Sequence, residues 1–401
     1  VEKMNVKHLF PGLRNFKAYL NTASAGFLPL TALKRSMDFL SYLTDFREGV
    51  DSVDFLDKEI MENVLEEGKR LLRTNRENLT LTIQTTEGLR RLLLSIEPKK
   101  SMNIISFDME FPSLSCLLKS YAQRYNLELR VIKNRNGWYY LEDIEKLVDD
   151  NTFAIIGSSV QWISGQRMNL RELSRIAHEH GAWVIVDAVQ HLGNLTLYPE
   201  KEGVDAVIAG GEKWLLNPSV GSGLMYVSNA LIEEASPIAG LLNMKSPVRE
   251  WSPWWGMPEK DPWGNFDFRN DARKFDFGGG PPYLLATTLW GALEVINEIG
   301  IEKIERHNTN LAGRIKDEIL GLGLEIIGGE DWEKSAIITI KTGLSYEKED
   351  EIYQRILAEG IKVSHRGALG HYGIRASPHL YNKMEDIEIF LEFLVNSLSR
   401  L

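Results

Sequence analysis

The chain has 401 residues, 43% of them apolar and 25% charged, with a formal net charge of −10. That is enough to bury a substantial core in about two domains, and it argues against extensive disorder. The acidic balance disfavours nucleic acid as the main partner, since phosphate neutralisation needs a basic face, and the longest apolar runs, such as 182–186, are far too short to cross a bilayer.

Between about residue 79 and residue 227, apolar β-rich runs alternate with helical patterns. Strands are predicted at 79–83, 103–107, 127–132, 153–158, 183–186, 206–209 and 223–227, and helices at 87–96, 115–125 and 141–148. A further helix starts after Asn169, where Glu172 completes a capping box, and ends at Gly181. This alternation predicts a mostly parallel sheet of the seven-stranded type with helices on both faces, whose ligands sit beyond the carboxyl ends of strands. Residues 243–270 are rich in Pro, Gly and Trp, with Trp251, Trp254, Trp255 and Trp263 close together. They read either as a packed irregular excursion or as a loop lining a substrate entrance or subunit interface, and their length favours the second. Helices at 284–299, 307–320 and 386–398 with strands at 335–341 and 360–364 predict a smaller α+β part. The expected organisation is an N-terminal segment near the active site (1–30), a large α/β domain (31–280) and a small C-terminal domain (281–401). The single cysteine, Cys116, excludes an intramolecular disulfide, and residues 1–5 show no signal-like apolar region, so a cytoplasmic location is expected.

Two polar groups stand out because each follows a buried strand. Asp187, in Val-Ile-Val-Asp-Ala-Val-Gln (184–190), is a carboxylate at the end of an apolar run. An unpaired charge is costly there, so it needs a cationic partner, and a protonated ring nitrogen would serve. Lys213, in Val-Ile-Ala-Gly-Gly-Glu-Lys-Trp (207–214), follows a Gly-Gly turn and precedes apolar residues. A partly dry site lowers a lysine pKa and favours the neutral amine needed to form an imine. Singly, these residues read as an ion-paired core carboxylate and a surface lysine. One strand apart, they read as a site. A third element is Gln84-Thr85-Thr86-Glu87-Gly88, where a strand runs into a helix. Two hydroxyls and free N–H groups at a helix N-terminus form an anion site, although a simple Thr N-cap is the plainer reading.

These segments resemble the class V aminotransferase family of fold-type I pyridoxal-phosphate (PLP) enzymes, which includes cysteine desulfurases and isopenicillin N epimerase-like proteins. The resemblance runs from Tyr-Leu-Asn-Thr-Ala-Ser-Ala-Gly (19–26) to Ile-Arg-Ala-Ser-Pro-His-Leu-Tyr-Asn (374–382), nearly the whole chain. It implies that Lys213 carries the cofactor as a Schiff base, that Asp187 pairs with the pyridine nitrogen and that Gln190 touches the ring hydroxyl. It implies that Thr85 and Thr86 hold the phosphate, and that Phe111 stacks on the ring. Arg375 matches the arginine that receives a substrate α-carboxylate, a role suited to a planar fork, and Ala23 and Ser24 are placed with it at the substrate. The chain also departs from the family. Gly210 stands where desulfurase relatives carry a phosphate-binding Ser, and Glu212 where they have His. Gly279, in Phe-Gly-Gly-Gly-Pro (277–281), replaces a Thr that in relatives reaches the neighbouring subunit's phosphate, leaving backbone N–H groups. Trp162 replaces an Asn, leaving Gln161 as a polar substitute at the cofactor. Segment 364–373 contains no cysteine, whereas a persulfide-forming desulfurase requires a thiol there.

The remaining polar residues carry less. His191 reads as a solvated or core histidine. His365, Arg366, His371 and Tyr372 read as loop polarity, with one of them a candidate substrate contact. Cys116 reads as a small buried hydrophobe on a helix. The resulting expectation is a homodimeric PLP enzyme with shared active sites and no metal, acting on an amino acid. Aminotransfer to a 2-oxo acid leads, with a lyase or epimerase as the alternative. The reading from another class is a PLP-fold binding protein that has lost turnover.

Overall fold

The computed structural model describes residues 6–99, 101–218, 221–329 and 335–399. A short strand in the N-terminal segment, β1 (Ala18–Tyr19), precedes the central sheet. That sheet contains β2 (Leu79–Thr82), β3 (Asn103–Phe107), β4 (Glu128–Ile132), β5 (Thr152–Ser158), β6 (Trp183–Asp187), β7 (Ala206–Gly210) and β8 (Gly223–Val227). Their order across the sheet is β2-β8-β7-β6-β5-β3-β4. Only β8 runs antiparallel to its neighbours, so the expected mostly parallel, seven-stranded α/β sheet is present.

The strands are continuous apolar runs because both faces are buried. Successive residues feed two different cores. Ile105, Phe107, Ile155, Val184, Val186, Val207 and Ala209 enter one; Ile104, Ala154, Ile156, Ile185, Ala206 and Ile208 enter the other. Helix Leu170–Glu179 covers the first face, and helices Thr85–Leu93 and Pro112–Tyr125 cover the second. Helix Tyr283–Ile299 sends Ala286, Leu289, Ala292 and Leu293 into the first core. Its packing therefore joins it to the core of the large domain, although the sequence reading placed it beyond a boundary at residue 280.

Two short strands and a second sheet complete the C-terminal part. β9 (Glu325–Ile326), β10 (Ile338–Lys341), β12 (Ser364–Ala368) and β13 (His371–Ala376) form a four-stranded sheet ordered β12-β13-β10-β9, while β11 (Ile361–Lys362) pairs with β1. Helices Ile301–Gly321, Tyr346–Ala358 and Met384–Leu398 pack on this sheet around their own core. The first of these starts six residues before the predicted 307, because Gly300, at φ +90, ends one helix and admits the next at once.

Two expectations are corrected. Segment 364–373 is not an open loop but the β12–β13 hairpin, turned by Leu369 and Gly370 at φ +50 and +81. Two successive positive φ values suit the twist of a two-residue hairpin turn. Cys116 is exposed. Helix Pro112–Tyr125 buries Leu114, Leu118, Tyr121 and Ala122, and Cys116 lies two residues, about 200°, round from Leu114. In the Trp-rich segment, Trp251 and Trp254 bury against Leu242 in a cluster of their own, tied to Asp54 by the Trp251 and Ser252 N–H groups, while Trp255 and Trp263 stay exposed.

Candidate active site

Asp187 ends β6, beside Ser158 of β5 and Ile208 of β7. Its side chain is buried and accepts the Val189 N–H at 2.9 Å. Burial pushes its pKa up to about 6 against the pull of that N–H and of Lys213, and Glu212 adds to the rise. Among the described residues it has no ion-pair partner, so it sits as a carboxylate awaiting a cation.

Lys213 follows β7 across Gly210 and Gly211. Burial pulls its pKa down, Glu212 and Asp187 oppose, and Arg375 and Arg366 pull further down. The amine lies 5.6 Å from the Phe111 ring centroid. Phe111 is 45% exposed and meets Trp162 edge-on at 5.5 Å. An open aromatic face beside a lysine that readily sheds its proton suits a planar electrophile held between them.

Helix Thr85–Leu93 begins where β2 and β7 end. Thr85 Oγ1 accepts the Gly210 N–H at 2.9 Å, which leaves the hydroxyl proton to donate outward. The preceding Gln84 makes no side-chain cap, so the first-turn N–H groups and the Thr85 and Thr86 hydroxyls are available to an anion.

Two glutamines behave differently from a simple cofactor contact. Gln161 spends its amide on backbone, donating to the Met109 carbonyl and accepting from Ile163 and Ser164 N–H. It thereby fixes its own turn rather than facing Lys213. Trp162 donates to the same Met109 carbonyl. Gln190 bridges the Ala23 carbonyl, at 3.0 Å, and the Trp214 indole N–H, at 2.7 Å, and so joins the N-terminal segment to the residue after Lys213. Gly279 lies exposed with open space around it, and within one chain it meets none of these groups.

Arg375 is 1% exposed. It donates to the Trp162 carbonyl at 2.7 Å and to Ser24 Oγ at 2.8 Å, while its Nε has no partner. Burial and the Arg366 charge weaken its hold on the proton. No carboxylate pairs with it among the described residues. A buried guanidinium without a counter-anion is expensive, and the group that fits is a planar, two-oxygen anion. Ala23 and Ser24 arrive because β1 pairs with β11 and Asn21 bridges Ser377, after which the Gly26 N–H reaches the Glu212 carbonyl at 2.9 Å.

Other sequence candidates turn inward. His191 is a core histidine on the Thr196 carbonyl, its pKa pushed down to about 3 by burial. His365 pairs with Glu349 at 2.9 Å and Asp350 at 3.3 Å, and Tyr372 donates to the Leu344 carbonyl. One residue was missed: Glu110, buried at the end of the β3 turn, accepts both the N–H and the hydroxyl of Ser158. Burial raises its pKa to about 7. Its place directly before Phe111, just past a strand's carboxyl end, was the available signal. No group of three His, Cys, Asp or Glu able to hold a metal occurs among the described residues.

The family model for Aminotransferase class-V matches residues 18–390. The chain belongs to the class V aminotransferase family. Within it, a cysteine desulfurase of Escherichia coli O139:H28 is 24% identical over 385 residues, covering 92% of this chain and 91% of that one. The apo cysteine desulfurase of Thermococcus onnurineus NA1 superposes with a TM-score of 0.85 at 19% identity, over 99% and 98% of the two chains. A lysine-to-alanine variant of C-DES with glycine covalently linked to its PLP cofactor superposes at 0.84 and 19% identity, over 97% and 99%. The fold is thus that of the class V, fold-type I enzymes, with the Lys213 site at the carboxyl ends of the sheet strands.

Proposed function

We propose that the chain is a PLP-dependent enzyme acting on an α-amino acid, and that its reaction is β-elimination from a sulfur-containing amino acid. The observation that carries the first part is the juxtaposition of unpaired Asp187, the easily deprotonated Lys213 and the counter-anion-free Arg375 in one site. These residues fit the cofactor: Lys213 would hold its aldehyde carbon, Asp187 its ring nitrogen, the Thr85–Thr86 helix start its phosphate and Phe111 its ring face. When bound, the group supplies an electron sink for the substrate α-carbon. Arg375 would orient the α-carboxylate, and the Lys213 amine would take the α-proton as general base. A binding protein without turnover would have no use for both Asp187 and Lys213.

The desulfurase relatives favour lyase chemistry over the aminotransfer that the sequence reading put first. The β12–β13 hairpin offers no thiol to accept sulfur, and the one cysteine points to solvent from the outer face of a helix. In the balance that follows, the α-proton leaves, the Cβ–S bond breaks, hydrosulfide departs, and water completes pyruvate and ammonium. Holoenzyme given L-cysteine without any 2-oxo acid is expected to release pyruvate and ammonium in equal amounts, and Cys116→Ser to retain most of that rate. Turnover only when a 2-oxo acid is supplied would establish aminotransfer instead, and abolished turnover in folded, cofactor-loaded Cys116→Ser would restore a persulfide mechanism.

A homodimer is part of the proposal. Leu30, Leu33, Met37, Leu40 and Leu43 stand exposed along helix Leu30–Thr44, a spacing that makes one apolar stripe. Such a stripe marks an interaction surface, and a two-fold pair would cover it with its own copy. It would also give exposed Gly279 a neighbour. Light scattering should give roughly twice the 45.6 kDa chain mass, and Leu33→Glu with Met37→Glu should return it to one. A cofactor-loaded, active monomer in the parent would remove this part.

A further inference from the structure

We propose that Arg366 is a second anion-binding residue of the substrate pocket, so that the amino acids this chain prefers carry an additional acidic group on the side chain. The proposal rests on the α-amino-acid reading above and adds a substrate class to it. The hairpin supplies the geometry. Ser364 is opposite Arg375 and Arg366 is opposite Gly373 in the β12–β13 register, which sets the two arginines as diagonal neighbours on one face. Both reach the same atom: Arg375 donates to Ser24 Oγ at 2.8 Å and Arg366 at 3.3 Å.

Ser24 cannot neutralise either of them. Its hydroxyl lies 3.0 Å from Ser364 Oγ, which in turn donates to Asn21 Oδ1. The Ser24 proton is therefore used in that chain, and its lone pairs receive the two guanidiniums. The other contact of Arg366 is the carbonyl of its own neighbour, His365, at 2.9 Å. On the adjoining helix, Glu349 and Asp350 are taken by His365. Neither arginine makes an ion pair among the described residues. Arg366 also faces the reacting amine closely enough that its charge weakens proton binding at both Arg375 and Lys213.

Two guanidiniums side by side without an anion repel each other, and one carboxylate fills one planar fork. Arg375, fully buried with a free Nε, is the fork for the α-carboxylate. Arg366, half-buried and nearer the hairpin tip, remains for an acid group farther along the side chain. A carboxylate or a sulfinate meets that requirement; an aliphatic or hydroxylated side chain leaves the charge uncompensated.

The test compares one-acid and two-acid ligands. With holoenzyme, dissociation constants are read from amino-acid-induced changes in cofactor absorbance for L-alanine and L-cysteine against L-aspartate, L-cysteine sulfinate and L-cystine in the parent, Arg366→Gln, Arg366→Lys and Arg375→Ala, with melting curves as folding controls. Without cofactor, the apo-protein's melting temperature is followed with succinate against propionate. The expected result is a parent preference for two-acid ligands, lost by about 10²-fold in Arg366→Gln and partly restored in Arg366→Lys, with a clearly smaller loss for one-acid ligands. Succinate should stabilise the apo parent and not apo Arg366→Gln. Equal losses for both classes in Arg366→Gln, or no parent preference, overturns the second subsite. Arg375→Ala separates the two readings: if it weakens neither class, the α-carboxylate assignment itself fails, whatever Arg366 does.

Discussion

Lys213→Ala is expected to lose turnover by about 10³-fold or more, since it removes both the covalent anchor of the cofactor and the general base at the α-carbon. Cofactor binding should weaken but persist, because the Thr85–Thr86 helix start and Asp187 remain. In the parent, borohydride reduction followed by peptide mapping should put the pyridoxyl label on Lys213, and the Lys213→Ala protein should take no label. The physical case is the amine's setting. It is half-buried behind β7, faces the open Phe111 ring, and is pushed toward its neutral form by burial and two nearby arginines. A label on another lysine, or parental turnover in Lys213→Ala, sinks the assignment.

Asp187→Asn is expected to keep the cofactor linked to Lys213 while lowering kcat by about 10²–10³-fold, the usual effect of removing a buried electrostatic stabiliser. The same substitution has an opposite effect on the apo-protein, and the sign follows from the pKa. Asp187 titrates at about 6 in the fold against an ordinary 3.8, because a buried charge is poorly solvated. A carboxylate raised in this way binds its proton more tightly folded than unfolded, so stability falls as pH rises from about 4 to about 6 and stays lower above. Asparagine escapes that loss while still accepting the Val189 N–H. Apo Asp187→Asn should therefore match the apo parent near pH 4 and exceed it at pH 7 by something on the order of 3 kcal/mol. Cofactor should erase the difference in the holo-proteins, because a cationic ring nitrogen pairs with the ionised carboxylate. Melting curves at the two pH values, with and without cofactor, read this directly, and an apo gain that is the same at both pH values would show that Asp187 is not raised.

The sequence by itself determined the central sheet and the two residues at its heart. Strands buried on both faces must be apolar without interruption, so β3 and β8 fall where their runs begin and end, and a charge just past such a run, as at Asp187 and Lys213, has few explanations. The helix after β2 was legible from its periodicity, read from residue 87, while the structure starts it at Thr85 with both threonines in its first turn. What only the tertiary structure decided are features set by partners distant in sequence. The amide of Gln161 turns to the Met109 carbonyl, a choice of rotamer that no local pattern encodes. Cys116 faces solvent because the phase of its helix is fixed by Leu114 and Leu118. Helix Tyr283–Ile299 joins the large core because its small face meets helix Leu30–Thr44, with Gly291 against the Ala32 backbone. The convergence of Arg375, Arg366 and Ser24 was hidden most completely. Ser24 lies more than 300 positions from either arginine, and it reaches them because β1 pairs with β11 and the β12–β13 register puts both guanidiniums on one face. Hydrophobic periodicity is a local property and can be read along the chain, whereas the meeting of charges across a register exists only once the sheets have closed.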